Sequence, residues 1–137
     1  MSKLQAAKEF FDACETGKGW EACKPYCHAE ATFSAQAHAL DDVTTLAAYC
    51  DWMKAIATTM PDASYDLKFF GADESGSSIA AVAVFKGTHT AEGGPVPPTG
   101  KSIASDYAYH MVFDGEQISH MTKVWNDGVA LEQAGWV

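Results

Sequence analysis

Basic charge is what this 137-residue sequence has least of: nine basic residues stand against eighteen acidic ones, for a formal net charge of −9. A surface this acidic repels phosphate backbones, which argues against nucleic-acid binding through a basic patch and against an anionic membrane surface. No apolar run approaches the ~18 residues that cross a bilayer. Met1-Ser2-Lys3-Leu4-Gln5 leads into no apolar signal core, so a cytoplasmic protein with reduced thiols is expected. Internal repeats, low-complexity tracts, a P-loop and a dinucleotide glycine fingerprint are all missing. Cysteine is confined to Cys14, Cys23, Cys27 and Cys50. Cys23, Cys27 and His28 are close in sequence but have no second ligand pair, and nothing places a base beside a thiol. Neither a metal nor a cofactor is expected, and the cysteines read as ordinary buried thiols.

What is present is apolar and aromatic: 47% hydrophobic and 12% aromatic residues. A chain of this length buries roughly two-thirds of its unfolded surface, so one globular domain over 1–137 is expected without a disulfide or metal staple. The pattern changes partway along. Leu4, Ala7, Phe11 and Cys14 form a helical stripe that Gly17 and Gly19 end. A short helix carrying Trp20, Cys23 and Cys27 follows, then a short strand over 30–36. Asp41-Asp42 offers an N-cap for a long helix with Val43, Leu46, Cys50, Met53, Ala57 and Met60 on its apolar face, which Pro61 stops.

From there the period is two. Strands are expected over 64–71, 79–90, 101–113 and 118–126, with turns at 73–76 and at Asp114-Gly115, and a short last helix over 128–134. Ala91 to Gly100 holds three prolines and cannot sit in a ladder. Helices followed by a four-strand meander predict an α+β fold, a curved antiparallel sheet wrapped around the long helix. Such a cone leaves a concave, mostly apolar cavity for a small molecule.

This element order resembles the nuclear-transport-factor-2-like (cystatin-like) superfamily. Gly87-Thr88-His89, Pro97-Pro98-Thr99-Gly100, Phe113-Asp114-Gly115 with Ile118, Trp125, Asp127, Leu131 and Gly135-Trp136 resemble its SnoaL-like polyketide cyclase branch. The resemblance implies a cofactor-free acid–base enzyme of cyclase or isomerase type on a small apolar carbonyl compound, and a homodimer through the sheet. A non-catalytic binding or dimerisation module and a small hydrolase are the alternatives on the same fold. Between the Asp114-Gly115 turn and Ile118 the chain carries one residue more than the family pattern. The ketosteroid isomerase base has no counterpart in Thr32-Phe33-Ser34-Ala35-Gln36.

The strand over 102–113 has two faces. In one reading the even face lines the cone, with Asp106 as base and His110 as donor, about 13 Å apart along the strand. In the other, Tyr107, Tyr109, Met111 and Phe113 fill the interior and both polar residues face out. The family's aspartate falls on Ala108 or Tyr109, depending on how the extra residue is counted, so Asp106 stands as a displaced replacement. His89, before the proline loop, is a third catalytic candidate, suited to polarise a carbonyl. Tyr49, Trp52, Tyr107, Trp125 and Asn126 are expected to contact substrate.

Overall fold

The computed structural model describes residues 1–137. Helix α1 (Lys3–Glu15) starts where the Ser2 hydroxyl accepts from the Gln5 amide at 3.0 Å, and it buries Ala7, Phe10, Phe11 and Cys14. Helix α2 (Trp20–Cys23) and a 3-10 turn (Lys24–Tyr26) lead into strand β1 (Cys27–Ala35). Cys27 therefore opens a strand and does not continue a helix face, since Pro25 breaks the helical run before it. Helix α3 (Leu46–Thr59) follows. Its cap is the Thr45 hydroxyl, which accepts from the Ala48 amide at 3.2 Å. The expected cap at Asp41-Asp42 is instead part of a turn after the 3-10 segment His38–Leu40. Strands β2 (Ser64–Ala72), β3 (Ser78–Thr88), β4 (Ser102–Asp114) and β5 (Gln117–Trp125) form the meander, and α4 (Asp127–Ala134) ends it.

The sheet order is β1-β5-β4-β3-β2, with β1 parallel to β5 and every other pair antiparallel. One face of this sheet closes on α1 and α3 around a continuous core that includes Phe11, Phe33, Leu46, Tyr49, Tyr109, Met111 and Ile118.

On β4 the odd face is the interior: Ile103, Ser105, Tyr107, Tyr109, Met111 and Phe113 are all buried. Asp106 and His110 are exposed on the outer face. The two-residue period fixed the pairs, and the aromatic set won the inner side because it removes far more apolar surface from water. The additional residue before β5 has a structural consequence. Phe113 pairs with Ile118 but Val112 pairs with His120, so Ser119 bulges out of register. Ile118 and Met121 both point inward across that bulge, whereas unbroken alternation over 118–126 would put Ile118 on one face with His120, Thr122 and Val124. Beyond the bulge, 121, 123 and 125 share the inner side.

Candidate active site

The wide end of the cone holds a cavity between α3, α4 and the inner face of β3, β4 and β5. It is partly open to solvent, and twelve of its fifteen lining residues are hydrophobic. Trp52, Met53, Ile56 and Met60 come from α3, Ile103 and Tyr107 from β4, Trp125 from β5 and Leu131 from α4. Two ionisable groups interrupt this wall. Glu15, the last residue of α1, is 1% exposed, and Lys123 on β5 is 5% exposed.

Local sequence explains both placements. Glu15 continues the Ala7–Phe11 spacing by one more step of four, so it points where the helix buries its stripe. The chain then turns through Gly17 (φ 74°), where a Cβ would lie 2.4 Å from that of Ala57. This close approach seats the end of α1 against α3. Lys123 is carried inward by the alternation Met121, Lys123, Trp125 that the Ser119 bulge sets.

A hydrogen-bond chain joins the two charges. Tyr109 donates its hydroxyl to Glu15 Oε2 at 2.5 Å. The Tyr109 oxygen accepts from the Tyr49 hydroxyl, and the Tyr49 oxygen accepts from Lys123 Nζ at 2.9 Å. The three bonds run in one direction, from ammonium to carboxylate. The ammonium is also caged: Nζ sits 4.1 Å from the ring centre of Trp125, 5.1 Å from Tyr49 and 5.4 Å from Trp52. Trp125 is itself held by donation of its indole N–H to Ser105 Oγ at 2.7 Å. Burial raises the Glu15 carboxyl above its ordinary value, against the attraction of Lys123 and the tyrosine hydroxyls. Burial lowers Lys123 to about 8, with Glu15 opposing. Tyr107 also belongs to the lining, and its hydroxyl is buried beside the Glu15 carboxylate without a well-formed hydrogen bond to it or to any other group.

The expected substrate contacts divide. Trp52, Tyr107 and Trp125 line the cavity. Tyr49 is fully buried behind that wall, stacked on Phe33 at 4.3 Å and on Trp52 at 5.8 Å, with its hydroxyl in the relay. Asn126 is exposed and caps α4, accepting from the Val129 amide at 3.2 Å, so it is a helix signal and not a cavity group. Asp106 and His110 are on the far side of the sheet, where His110 Nε2 bonds the Ser78 hydroxyl; neither can act in the cavity. His89 is buried but outside the lining. Its Nδ1 accepts from the Trp136 indole at 2.8 Å, which leaves the ring proton on Nε2 without a partner. Trp136 does line the cavity, so His89 acts on it only through that ring. No residue of the 91–100 loop reaches the cavity. The buried charged pair at the cavity that sequence reasoning missed is Glu15 with Lys123.

Residues 7–121 match the SnoaL-like domain family. No curated protein matches the sequence. Among solved structures, AclR from Streptomyces galilaeus, a candidate hydroxylase, superposes with a TM-score of 0.78 at 17% identity, over 98% of this chain and 82% of that one. IdmH from Streptomyces antibioticus, a candidate polyketide cyclase, gives 0.77 at 16%, over 98% and 99%. A protein of ketosteroid isomerase-like fold from Catenulispora acidiphila, in complex with trimethylamine, gives 0.67 at 19%, over 95% and 92%. At these identities the structural likeness establishes the fold, and the cone, its inward tyrosines and the match over 7–121 agree: the chain belongs to the SnoaL-like family.

Proposed function

We propose that the protein is a cofactor-free acid–base catalyst of cyclase or isomerase type, acting on a small apolar carbonyl compound held in the cone. The observation that carries this reading is the meeting of three groups at one apolar cavity: the Glu15 carboxylate, the Lys123 ammonium and the unpartnered Tyr107 hydroxyl. Glu15 takes a proton from the carbon next to the carbonyl. The Tyr107 hydroxyl and the Lys123 ammonium face the oxygen on which negative charge develops. Tyr107 then gains the partner that a buried hydroxyl otherwise lacks. The Tyr49–Tyr109 relay returns the proton between the two ends without opening the site to water. Trp52, Trp125 and Trp136 supply flat apolar walls that suit a ring system. The test is hydrogen–deuterium exchange at the α-carbon of small cyclic ketones, followed by NMR. Glu15→Gln is expected to lower the exchange rate by about 10²–10⁴-fold, the usual share of a general base. Exchange that is no faster than in buffer, with ketone still bound, contradicts catalysis and leaves a binding module.

We also infer that two copies pair through the outer sheet face. Register aligns Phe69, Val82, Ala108 and Val124 in one row across four strands. Phe69 is 54% and Val124 67% exposed, an apolar band that a second copy of the same face would cover.

A further inference from the structure

Three of the four cysteines lie outside the cavity lining, yet the fold gathers them. Cys14 comes from α1, Cys23 from the end of α2 and Cys50 from α3, and their three sulfur atoms all lie within 4.8 Å of one another. Each is fully buried. No histidine nitrogen or carboxylate oxygen joins the group. Cys27, the fourth, stands apart: its thiol is directed at the Cys23 carbonyl at 3.5 Å.

We propose that Cys14, Cys23 and Cys50 form a three-sulfur binding site for cuprous ion. The donor set decides the class of metal. Thiolate sulfur is soft and selects copper(I) over magnesium, calcium or manganese, which take oxygen. Zinc in a structural site takes four ligands, and here no fourth donor is in the group and burial keeps water from supplying one. Copper(I) is satisfied by three. The size also fits. With a metal–sulfur bond of about 2.3 Å, as for a first-row ion, a trigonal plane places its sulfurs about 4 Å apart, within the observed spread. On loading, each thiol that becomes a thiolate gives its proton to the solvent, and copper stays copper(I) throughout. Entry requires the short α2 segment, joined to α1 through Gly17 and Gly19, to move aside.

The experiment uses the reduced full chain, titrated anaerobically with copper(I) against the chromogenic chelator bicinchoninate. The expected result is one equivalent per chain withdrawn from the chelator, with an ultraviolet sulfur-to-copper band. Cys14→Ser, Cys23→Ser and Cys50→Ser are each expected to weaken binding by more than about a hundredfold, since losing even a group that supports a ligand costs 10–100-fold. Cys27→Ser is expected to bind as the parent does. X-ray absorption on the copper-loaded parent counts sulfurs without any substitution: three at one short distance support the site. Two sulfurs, no withdrawal from the chelator, or loss of binding in Cys27→Ser would each overturn it.

Discussion

Lys123 is a single residue whose placement sets a measurable property of the whole chain. Its pKa falls from 10.5 to about 8 on folding because its ammonium leaves water for an aromatic cage. Between about pH 8 and 10 the unfolded chain therefore holds a proton that the folded chain lacks. Stability is expected to rise with pH across that window, and the penalty is complete below it. A fall from 10.5 to about 8 corresponds to a rise on the order of 3 kcal/mol if it is collected in full. From about pH 9 the buried thiols of Cys14, Cys27 and Cys50, held above their ordinary value, pull the other way, and the buried tyrosines join them above pH 10. The Lys123 contribution is therefore read as the difference between the parent and Lys123→Met in urea unfolding from pH 7 to 10, and that difference is expected to shift in favour of the parent as pH rises. A difference that does not change with pH would mean the ammonium stays solvated. The pair Glu15–Lys123 was half legible beforehand. Glu15 lies one helical step beyond Phe11, and Lys123 lies between Met121 and Trp125 on one strand face. Both signals were positional, but a charged residue at an apolar position reads as surface until a partner is known, and each partner lies more than 100 residues away in sequence.

At the scale of elements, two local devices set the geometry. Thr45 caps α3, the helix that supplies one wall of the cavity. Thr45→Ala is expected to cost about 1 kcal/mol, read by thermal or urea unfolding, whereas Asp41→Ala and Asp42→Ala should leave α3 unaffected. The bulge at Ser119 is the second device. Deleting Ser119 would leave a regular ladder, Phe113 with Ile118 and then Val112 with His120, and keep Met121, Lys123 and Trp125 on the inner side. The deletion is therefore expected to preserve ketone binding and the Lys123 pH effect, as is an insertion within the exposed 91–100 loop. Loss of both in the deletion variant would show that the bulge shapes the cavity beyond setting which side chains face it. The sequence did carry the additional residue, against the family pattern. What it lacked was the side on which the residue would be accommodated. That is why alternation alone would set Ile118 beside His120, and why the two faces of β4 are chosen only by packing. The helix-then-meander order, the proline loop and the turn at Asp114-Gly115 were all legible because their signals are local.

At the scale of the molecule, the sheet keeps its two faces for two purposes. The inner face carries the aromatic cavity, and the outer face carries Asp106, His110 and the apolar row through Val82 and Val124. Proposed pairing through that row must bring together two chains of net charge −9. Their repulsion is screened as ionic strength rises, so sedimentation should show a dimer that tightens from 20 mM to 500 mM salt. Val82→Lys is expected to dissociate it without altering the cavity. A monomer at every salt concentration would remove the pairing and leave the site untouched. The overall architecture and family were visible from element order and the C-terminal motifs. The contents of the cavity were not, because they depend on contacts between the end of α1, the middle of α3 and β5.

The most direct test of the central claim is α-carbon deuterium exchange of a bound cyclic ketone, measured side by side for the parent chain, Glu15→Gln and Asp106→Asn. The cavity assignment predicts rapid exchange in the parent, a loss of at least about a hundredfold in Glu15→Gln, and an unchanged rate in Asp106→Asn, whose side chain lies on the opposite face. Full activity in Glu15→Gln together with loss in Asp106→Asn would contradict it and move the chemistry to the outer side of the sheet.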